Sequence, residues 1–469
     1  MKKLRFPFPF GKVYFIGIGG IGMSGIAEIM HLSGYNVSGS DIAENANVTR
    51  LRNMGIDVKI GHKAENIEGA GVVVVSSAIG ENNEEVKAAK AKRIPVIHRS
   101  AMLAELMRSR WSISVGGTHG KTTTTSMVSA ILKEAGKDPT VVNGGIINAS
   151  GTNALVGEGD WMVVEADESD GSFTVFPSTI VIVTNIDADH MDYYHDSDAI
   201  KKFFCQFVNN VPFYGLACLC IDSPFVQEII PAVTRPVLTY GLNRQADISA
   251  FNIRAKKGEL TFDVAIKNRK TDEVDIIKDF YLPLYGEHNV KNALAAIGVA
   301  LKLDIDVDVI KKALKHFEGV KRRFTKIAEI GGVTLIDDYA HHPVEIAAVL
   351  KGARNVTDGK IVAVWQPHRY SRAKALFSGF CTAFNDADAV IVTDIYPAGE
   401  EPIEGIDKGY MANGITTCGH RDVTVASSLD EVPRLVAGKV KKGDIVIFLG
   451  AGNISSAAYK MVDRLKELI

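Results

Sequence analysis

The sequence predicts an α/β protein of three consecutive domains, and three observations predict it. A chain of 469 residues is too long for one hydrophobic core. Apolar runs of strand length end in glycines or acids and give way to helical patterns, as parallel strands buried on both faces do. This pattern restarts twice, at SISVGG and again after RRF (322–324). The domains are expected at 1–109, 110–322 and 323–469, with Ser109 to Trp111 as a candidate hinge. The first and third read as Rossmann-like, the central one as a P-loop ATPase-type mixed sheet.

The first domain opens with VYFIGI, glycines, and the helical pattern GMSGIAEIMHLSG, for which Gly34 is the expected stop. YNVSGSD then closes a βαβ unit at Asp41. Gly17, Gly19 and Gly22 form G-x-G-x-x-G, and Asp41 lies 19 residues past Gly22. That is the dinucleotide fingerprint: glycines for a tight turn onto a helix N-terminus, and an acid spaced for a ribose. Any ligand with a pyrophosphate fits such a turn, so the motif does not separate a nicotinamide dinucleotide from a nucleotide sugar. GVVVVSSAI (71–79) and IPVIH (94–98) read as further strands around the helical EEVKAAKAKR, and MLAELMRSRW leads to the next domain.

There SISVGG crosses THGKT into TTTSMVSAILKEAG. The usual phosphate loop has four residues between its glycine and Gly-Lys-Ser/Thr, which requires a glycine where Val115 stands. Every working part is nonetheless kept. Backbone N–H groups at a helix start cradle phosphate, Lys121 reaches the β- and γ-phosphates, and Thr122 holds Mg²⁺. WMVVEADESD (161–170) and TIVIVTNIDADHMD (179–192) are apolar strands ending in acids. They bring Glu165, Asp167, Asp187, Asp189 and His190 to the sheet edge that carries Lys121, and Mg²⁺ prefers oxygen ligands. CLCID, AVTRPVLTYG and the alternating LTFDVAI read as further, partly antiparallel strands before the helix opened by GEHNVKNALAAIGVALKL.

In the third domain VTLIDDYAHHP, KIVAVWQPHRY, DAVIVTDIYPAG and DIVIFLGAGNI are four strand-to-loop units with polar C-terminal edges, where ligands sit in such folds. His341 and His342, and His368 with Arg369 and Arg372, lie on two of those edges. The planar arginine fork suits a carboxylate or phosphate, so these residues are candidates to present an anionic substrate to ATP.

Composition narrows the class. At 46% hydrophobic and 23% charged residues the chain is ordinary globular material, and a net charge of −2 gives no basic footprint for nucleic acid. Five cysteines, odd in number and without a C-x-x-C pair, suggest neither a zinc site nor a disulfide framework. Free thiols in a reducing cytoplasm are expected. MKKLRFPFPF mimics a signal peptide, but Pro7, Pro9 and the following glycines break the apolar run. No stretch reaches the roughly 18 apolar residues of a membrane span.

Taken together, these motifs resemble the Mur ligase family of ATP-dependent amide-bond-forming enzymes of peptidoglycan synthesis. The resemblance runs nearly the full length: GIGGIGMSG, SSAI, GGTHGKTTT, EADESDGSF, TNIDADHMD, GEHNVKNALAA, FEGVKRRF, DDYAHHPVE and QPHRYSR stand in the family's order. The short loop is the family's G-T-x-G-K-T, here Gly117, Thr118, His119, Gly120, Lys121 and Thr122, followed by Thr123.

The resemblance implies a UDP-binding first domain, a central ATPase domain and a third domain that closes on both. It turns the first glycine motif into a UDP-sugar site, with Gly19, Gly20, Ile21, Gly22, Asp41 and Ser77 as substrate-binding residues. It implies ATP and Mg²⁺, with Thr122, Glu165 and His190 as metal ligands and Asn289 and Asn292 at the adenine. Arg323, Asp338, His342 and Arg369 act around phosphates, ribose and incoming substrates; Lys121, His190, Glu165, Arg323 and His342 are the catalytic set. Several relatives carry a carbamylated lysine soon after DHMD; Lys201 and Lys202 stand too early for that role to be assigned. The implied partners are UDP-N-acetylmuramate and L-alanine, joined through an acyl phosphate, with a monomer or weak homodimer and no nucleic acid or membrane. His341, His342 and Asp338 are candidates for the base. Alternatives are the recycling ligase that adds a murein tripeptide, a nicotinamide-dependent oxidoreductase, and a non-catalytic nucleotide-binding regulator.

Overall fold

The computed structural model describes residues 11–148, 152–256, 259–269 and 271–468. The signal-like start at 1–10 lies outside them. Three sheets follow one another along the chain. The first holds β1 (Lys12–Ile16), β2 (Val37–Asp41), β3 (Asp57–Ile60), β4 (Ala70–Val75) and β5 (Val96–His98) in the order β3-β2-β1-β4-β5, every pairing parallel. The order reverses beside β1, which puts the switch point, where such sheets bind ligands, at the glycine turn that follows it. Helix Ile21–Leu32 starts there, and Gly34 takes the left-handed φ of 88° as its stop.

The second sheet has ten strands: β6 (Trp111–Gly116), β7 (Thr140–Val142), β8 (Ala154–Leu155), β9 (Trp161–Glu165), β10 (Ile180–Val183), β11 (Leu216–Cys220), β12 (Val237–Gly241), β13 (Ile248–Lys256), β14 (Glu259–Lys267) and β15 (Val274–Leu282). Their order is β15-β14-β13-β12-β11-β10-β6-β9-β7-β8. β6 lies between β9 and β10, parallel to both, so the phosphate-loop strand is flanked by the two strands that end in acids. β11 and β12 continue in parallel where a partly antiparallel arrangement is expected, because helices Ser197–Asn209 and Pro224–Ile229 supply crossovers. Trp111, at the end of the candidate hinge segment, begins β6.

The third sheet is β16-β17-β21-β18-β19-β20, built from β16 (Thr325–Ile330), β17 (Val333–Asp338), β18 (Ile361–Trp365), β19 (Ala389–Val392), β20 (Val423–Val425) and β21 (Ile445–Leu449). Four of these are the expected strands; β16, an antiparallel edge strand, and the three-residue β20 are additional. Trp365 is fully buried between Phe380 and Phe384, with ring centroids 4.9 and 5.0 Å away.

The three sheets group into two compact units, Met1–Phe251 with Asp263–Phe280 and Lys291–Glu318, and Asn252–Phe262 with Tyr281–Val290 and Gly319–Ile469. The first unit joins the first two sheets because one continuous core runs from Phe15 and Met30 through Met102 and Leu106 to Val164, Phe173 and Phe204. Each such fully buried side chain stabilises by roughly 1.5–3 kcal/mol. Among the described residues, no helix is long and apolar enough to cross a membrane.

Candidate active site

The phosphate loop joins β6 to helix Lys121–Glu134. Gly120 makes the turn at φ 82°, and a Cβ there would lie 2.5 Å from Asn292 Oδ1, so both backbone and space demand glycine. The neighbouring acid segment braces the loop from behind. Asn185 accepts the Thr118 N–H at its carbonyl (3.0 Å) and the His119 N–H at Oδ1 (2.8 Å). Its Nδ2 and the Thr184 hydroxyl both donate to the His119 carbonyl, at 2.9 and 2.6 Å. No side chain caps this helix start, which leaves its first N–H groups to face an anion.

Lys121 folds back over the loop. Its Nζ donates to the Gly117 carbonyl (2.6 Å), the Thr118 carbonyl (3.1 Å) and Glu168 Oε1 (2.9 Å). Burial works against its charge, but Glu168, Glu165 and Asp167 together hold the ammonium above the usual lysine range. Glu168 is only 2% exposed, and burial pushes its carboxyl up to about 7 against the pull of Lys121. Beside it Thr122 Oγ1 donates to Glu165 Oε1 (3.1 Å), while Glu165 Oε2 accepts the Gly144 N–H (2.7 Å). His190 sits at left-handed φ 54° with Nε2 3.8 Å from Glu168 Oε1 and 3.6 Å from Asp189 Oδ2. Among the described residues no group of three His, Cys, Asp or Glu side chains is placed to hold a metal.

A second anion cradle belongs to the same unit. After β1 the chain turns onto helix Ile21–Leu32, whose N-terminus at Gly20 also lacks a side-chain cap. Asp41 Oδ2 accepts the Gly19 N–H at 2.8 Å, and a Cβ on Gly19 would lie 2.5 Å from Asn45 Nδ2. Arg99, at the start of helix Arg99–Met107, reaches this turn: a Cβ on Gly22 would lie 3.1 Å from its Nη1. Ser77, exposed at the end of β4, donates to Asp170 Oδ2 (2.5 Å) and lies 3.1 Å from His98 Nε2.

The second unit gathers cations around one sheet edge. Arg322 and Phe324 take left-handed φ values of 61° and 51°, which Asp338 stabilises by accepting the N–H groups of Phe324 and Ala340, both at 2.7 Å. Burial nevertheless pushes the Asp338 carboxyl up to about 6, against the Arg323 charge and those two bonds. Asp338→Asn turns one acceptor into a donor facing an N–H, so chemical denaturation should show a loss of about 1–3 kcal/mol. An unchanged midpoint would remove Asp338 from this role. The guanidinium groups of Arg322 and Arg323 lie 4.7 and 5.3 Å from the Tyr339 ring centre.

His342 caps helix Pro343–Arg354 in a capping box with Glu345, its Nδ1 accepting the Val344 N–H at 3.4 Å. An accepting Nδ1 puts the ring proton on Nε2, which makes His342 a donor rather than a base in this arrangement. Arg369 is held at φ 66°, with a buried Nε that has no hydrogen-bond partner. Burial, Arg372 and Arg369 together lower His368 to about 4, so a neutral imidazole shares this edge with two guanidinium groups.

Family models match almost the whole chain. The Mur ligase catalytic domain covers residues 12–111, the Mur ligase middle domain 115–300 and the Mur ligase glutamate ligase domain 322–452. The chain belongs to the Mur ligase family. This Mur ligase is 54% identical to the UDP-N-acetylmuramate–L-alanine ligase of Rhodospirillum rubrum, over 98% of the chain and 96% of the relative. It is 55% identical to that of Rhodopseudomonas palustris, over 99% and 100%. Among solved structures it resembles the UDP-N-acetylmuramate–alanine ligase of Thermotoga maritima at 29% identity and a TM-score of 0.81, covering 97% of this chain and 99% of that one. A murein peptide ligase from Psychrobacter arcticus shares the fold at 23% identity and a TM-score of 0.70, over 98% and 99% of the two chains.

The Mur ligase brings Lys121, Thr122, Glu165 and Asn292 to one loop, and His190 to the Glu168 side of it. Gly19, Gly20, Ile21, Gly22, Asp41 and Ser77 stand at the first sheet's ligand edge. Asn289 lies in the second unit, donating from Nδ2 to the Tyr285 carbonyl at 2.7 Å, and Arg323, Asp338, His342 and Arg369 are there too. Three residues escaped the sequence reading. Glu168 was hidden in an acidic run whose facing is set by loop geometry, Arg99 in an apparently ordinary helix start, and Asn185 behind two more conspicuous aspartates.

Proposed function

We propose that this Mur ligase joins L-alanine to the lactyl carboxylate of UDP-N-acetylmuramate, with cleavage of ATP to ADP and phosphate. One observation carries the reading: a phosphate loop with Lys121, Thr122 and Glu165 shares a compact unit with a second, uncapped helix N-terminus suited to a diphosphate. The relatives named UDP-N-acetylmuramate–L-alanine ligase, 54–55% identical end to end, supply the substrates. We place the domain boundaries at 109/110 and 322/323 and the protein, as a monomer or weak homodimer, in the cytoplasm, where UDP-sugars and ATP are made.

The lactyl carboxylate attacks the γ-phosphorus, a new O–P bond forms, and the bond to the ADP oxygen breaks. Two anions must meet, so Lys121 leaves the Gly117 and Thr118 carbonyls and Glu168 to neutralise the transferring phosphoryl group. The convergence of Thr122 Oγ1 and Glu165 Oε1 fits Mg²⁺, which prefers a few oxygen ligands and retains waters; these two residues would hold it, with His190 at the rim. When bound, Mg²⁺ supplies charge neutralisation on the β- and γ-phosphates. Asn292 and Asn289 serve the adenine, and the cradle at Gly19, Gly20, Ile21, Gly22, Asp41 and Ser77 the UDP-sugar.

The alanine amine then attacks the acyl phosphate, and the tetrahedral intermediate expels phosphate. Arg369 and Arg372 suit the alanine carboxylate, because the Arg369 Nε is already desolvated and lacks an acceptor. His342 donates from Nε2 to developing negative charge, Arg323 and Asp338 shape the strained turn beside it, and His341 is left as base.

The test is phosphate release from ATP and Mg²⁺ with UDP-N-acetylmuramate and each of L-alanine, glycine, L-serine and the murein tripeptide. Release should require both the sugar and L-alanine, with leakage to glycine and serine because one methyl-sized difference discriminates by only about 1–3 kcal/mol. Release with tripeptide and none with alanine would move the enzyme to recycling.

A further inference from the structure

Residues 165–170 leave β9 as one short strap whose side chains divide between the two ligand cradles. Glu165 and Glu168 turn to the phosphate loop, bonding Thr122 and Lys121. Asp167 and Asp170 turn to the first sheet's edge, bonding Arg99 Nη2 at 2.7 Å and Ser77 Oγ at 2.5 Å. The strap is pinned at its centre: the Tyr194 hydroxyl donates to the Glu168 carbonyl, and Asp167 Oδ1 and Asp170 Oδ1 each accept an N–H two residues on, both at 3.0 Å. Arg99 joins strap and cradle, since its other terminal nitrogen lies against Gly22 in the first turn of helix Ile21–Leu32.

We propose that Asp167 is a positioning residue that competes with the UDP-sugar diphosphate for Arg99, and so ties filling of the sugar site to the placement of Glu168 and Lys121. This rests on the reading of the first cradle as the UDP-sugar site. With no ligand, Arg99 is neutralised by Asp167 and the strap is drawn toward the first sheet. A diphosphate at the Gly20 turn offers Arg99 a doubly charged partner. Asp167, displaced, no longer fixes the strap one residue before Glu168, and Lys121 loses the rigidity of its resting partner at the moment ATP needs it. Binding at one cradle then eases binding at the other, a coupling that is reciprocal.

Asp167→Asn tests this with a sign that a merely structural ion pair would not give. Asparagine keeps an oxygen for the Ser169 N–H but presents an amide donor to Arg99, freeing the guanidinium. Calorimetry of UDP-N-acetylmuramate binding, with and without a non-hydrolysable ATP analogue, should show the variant binding the sugar roughly five-fold tighter without nucleotide, the scale of a part-buried ion pair. The help that the analogue gives sugar binding should shrink toward none. Arg99→Gln should weaken sugar binding, and adding Asp167→Asn to it should change nothing further. Unchanged or weaker sugar binding in Asp167→Asn, or the same gain in the Arg99→Gln background, overturns the proposal. If Asp167→Asn does not fold, Arg99→Gln still decides, because unaltered sugar binding there removes the competition. Failure of the unaltered enzyme to bind the UDP-sugar at all would instead overturn the function proposed above.

Discussion

Lys121→Ala should lower kcat by about 10³-fold or more, with a smaller change in the KM for ATP, because the ammonium acts on charge that develops during transfer. Phosphate release under saturating substrates measures it, and a loss below tenfold would mean that Lys121 does not touch the transferring group. The same variant carries a stability signature that comes from Glu168. With Lys121 gone, a carboxyl 2% exposed loses the ammonium that lies 2.8 Å from it. Burial already raises that carboxyl to about 7 and would raise it further in the variant. A folded carboxyl that keeps its proton to higher pH than the unfolded one costs nothing below the ordinary carboxylate range. The cost builds up as pH rises from the unfolded to the folded value and is level above it. Lys121→Ala should therefore unfold near its parent at pH 4.5 and lose about 1 kcal/mol by pH 8, because the parent already bears the cost up to its own value of about 7. Adding Glu168→Gln should restore the stability and leave the activity lost, which separates the lysine's chemistry from its structural debt to Glu168. Equal stability losses at both pH values would show that the pair is not coupled in this way.

The sequence was most legible where the local rule and the fold agree. Glycines that must take positive φ or admit a close neighbour, such as Gly34 and Gly120, marked the helix stop and the phosphate loop correctly. Long apolar runs such as WMVV and IVIV could be read as buried parallel strands because nothing in them alternates. What could not be read was facing. In EADESD four of the six residues are acidic, and only the exit angle from β9 decides that Glu168 meets Lys121 while Asp167 meets Arg99. Nor does spacing show that the first two sheets share one core, since Met102 and Leu106 look the same whether they pack within a domain or between two. His342 shows a third kind of limit. Its place after a strand suggested chemistry, but the capping box with Glu345 that fixes its proton on Nε2 depends on a side-chain angle that no sequence pattern carries.

Glu165→Gln should separate metal binding from architecture. The glutamine can still accept the Gly144 N–H and meet the Thr122 hydroxyl, now as a donor, so the loop keeps both contacts and stability should stay within roughly 0.5 kcal/mol. What disappears is the negative charge beside Thr122 Oγ1, and a hard divalent cation depends on that charge more than on the oxygen count. The Mg²⁺ concentration for half-maximal phosphate release should rise by more than tenfold, and kcat at saturating Mg²⁺ should fall by about 10²-fold. Thr122→Ala should shift the Mg²⁺ curve in the same direction but less, since it removes a neutral ligand. Lys121→Ala should leave the curve's midpoint nearly in place while lowering its plateau, because the lysine neutralises phosphate rather than holding metal. Titrating Mg²⁺ against all three variants thus tells the two cationic contributions apart. If Glu165→Gln lowered only the plateau, Glu165 would be bracing the Gly144 turn and the metal would have to be held by the Glu168 and His190 side of the loop.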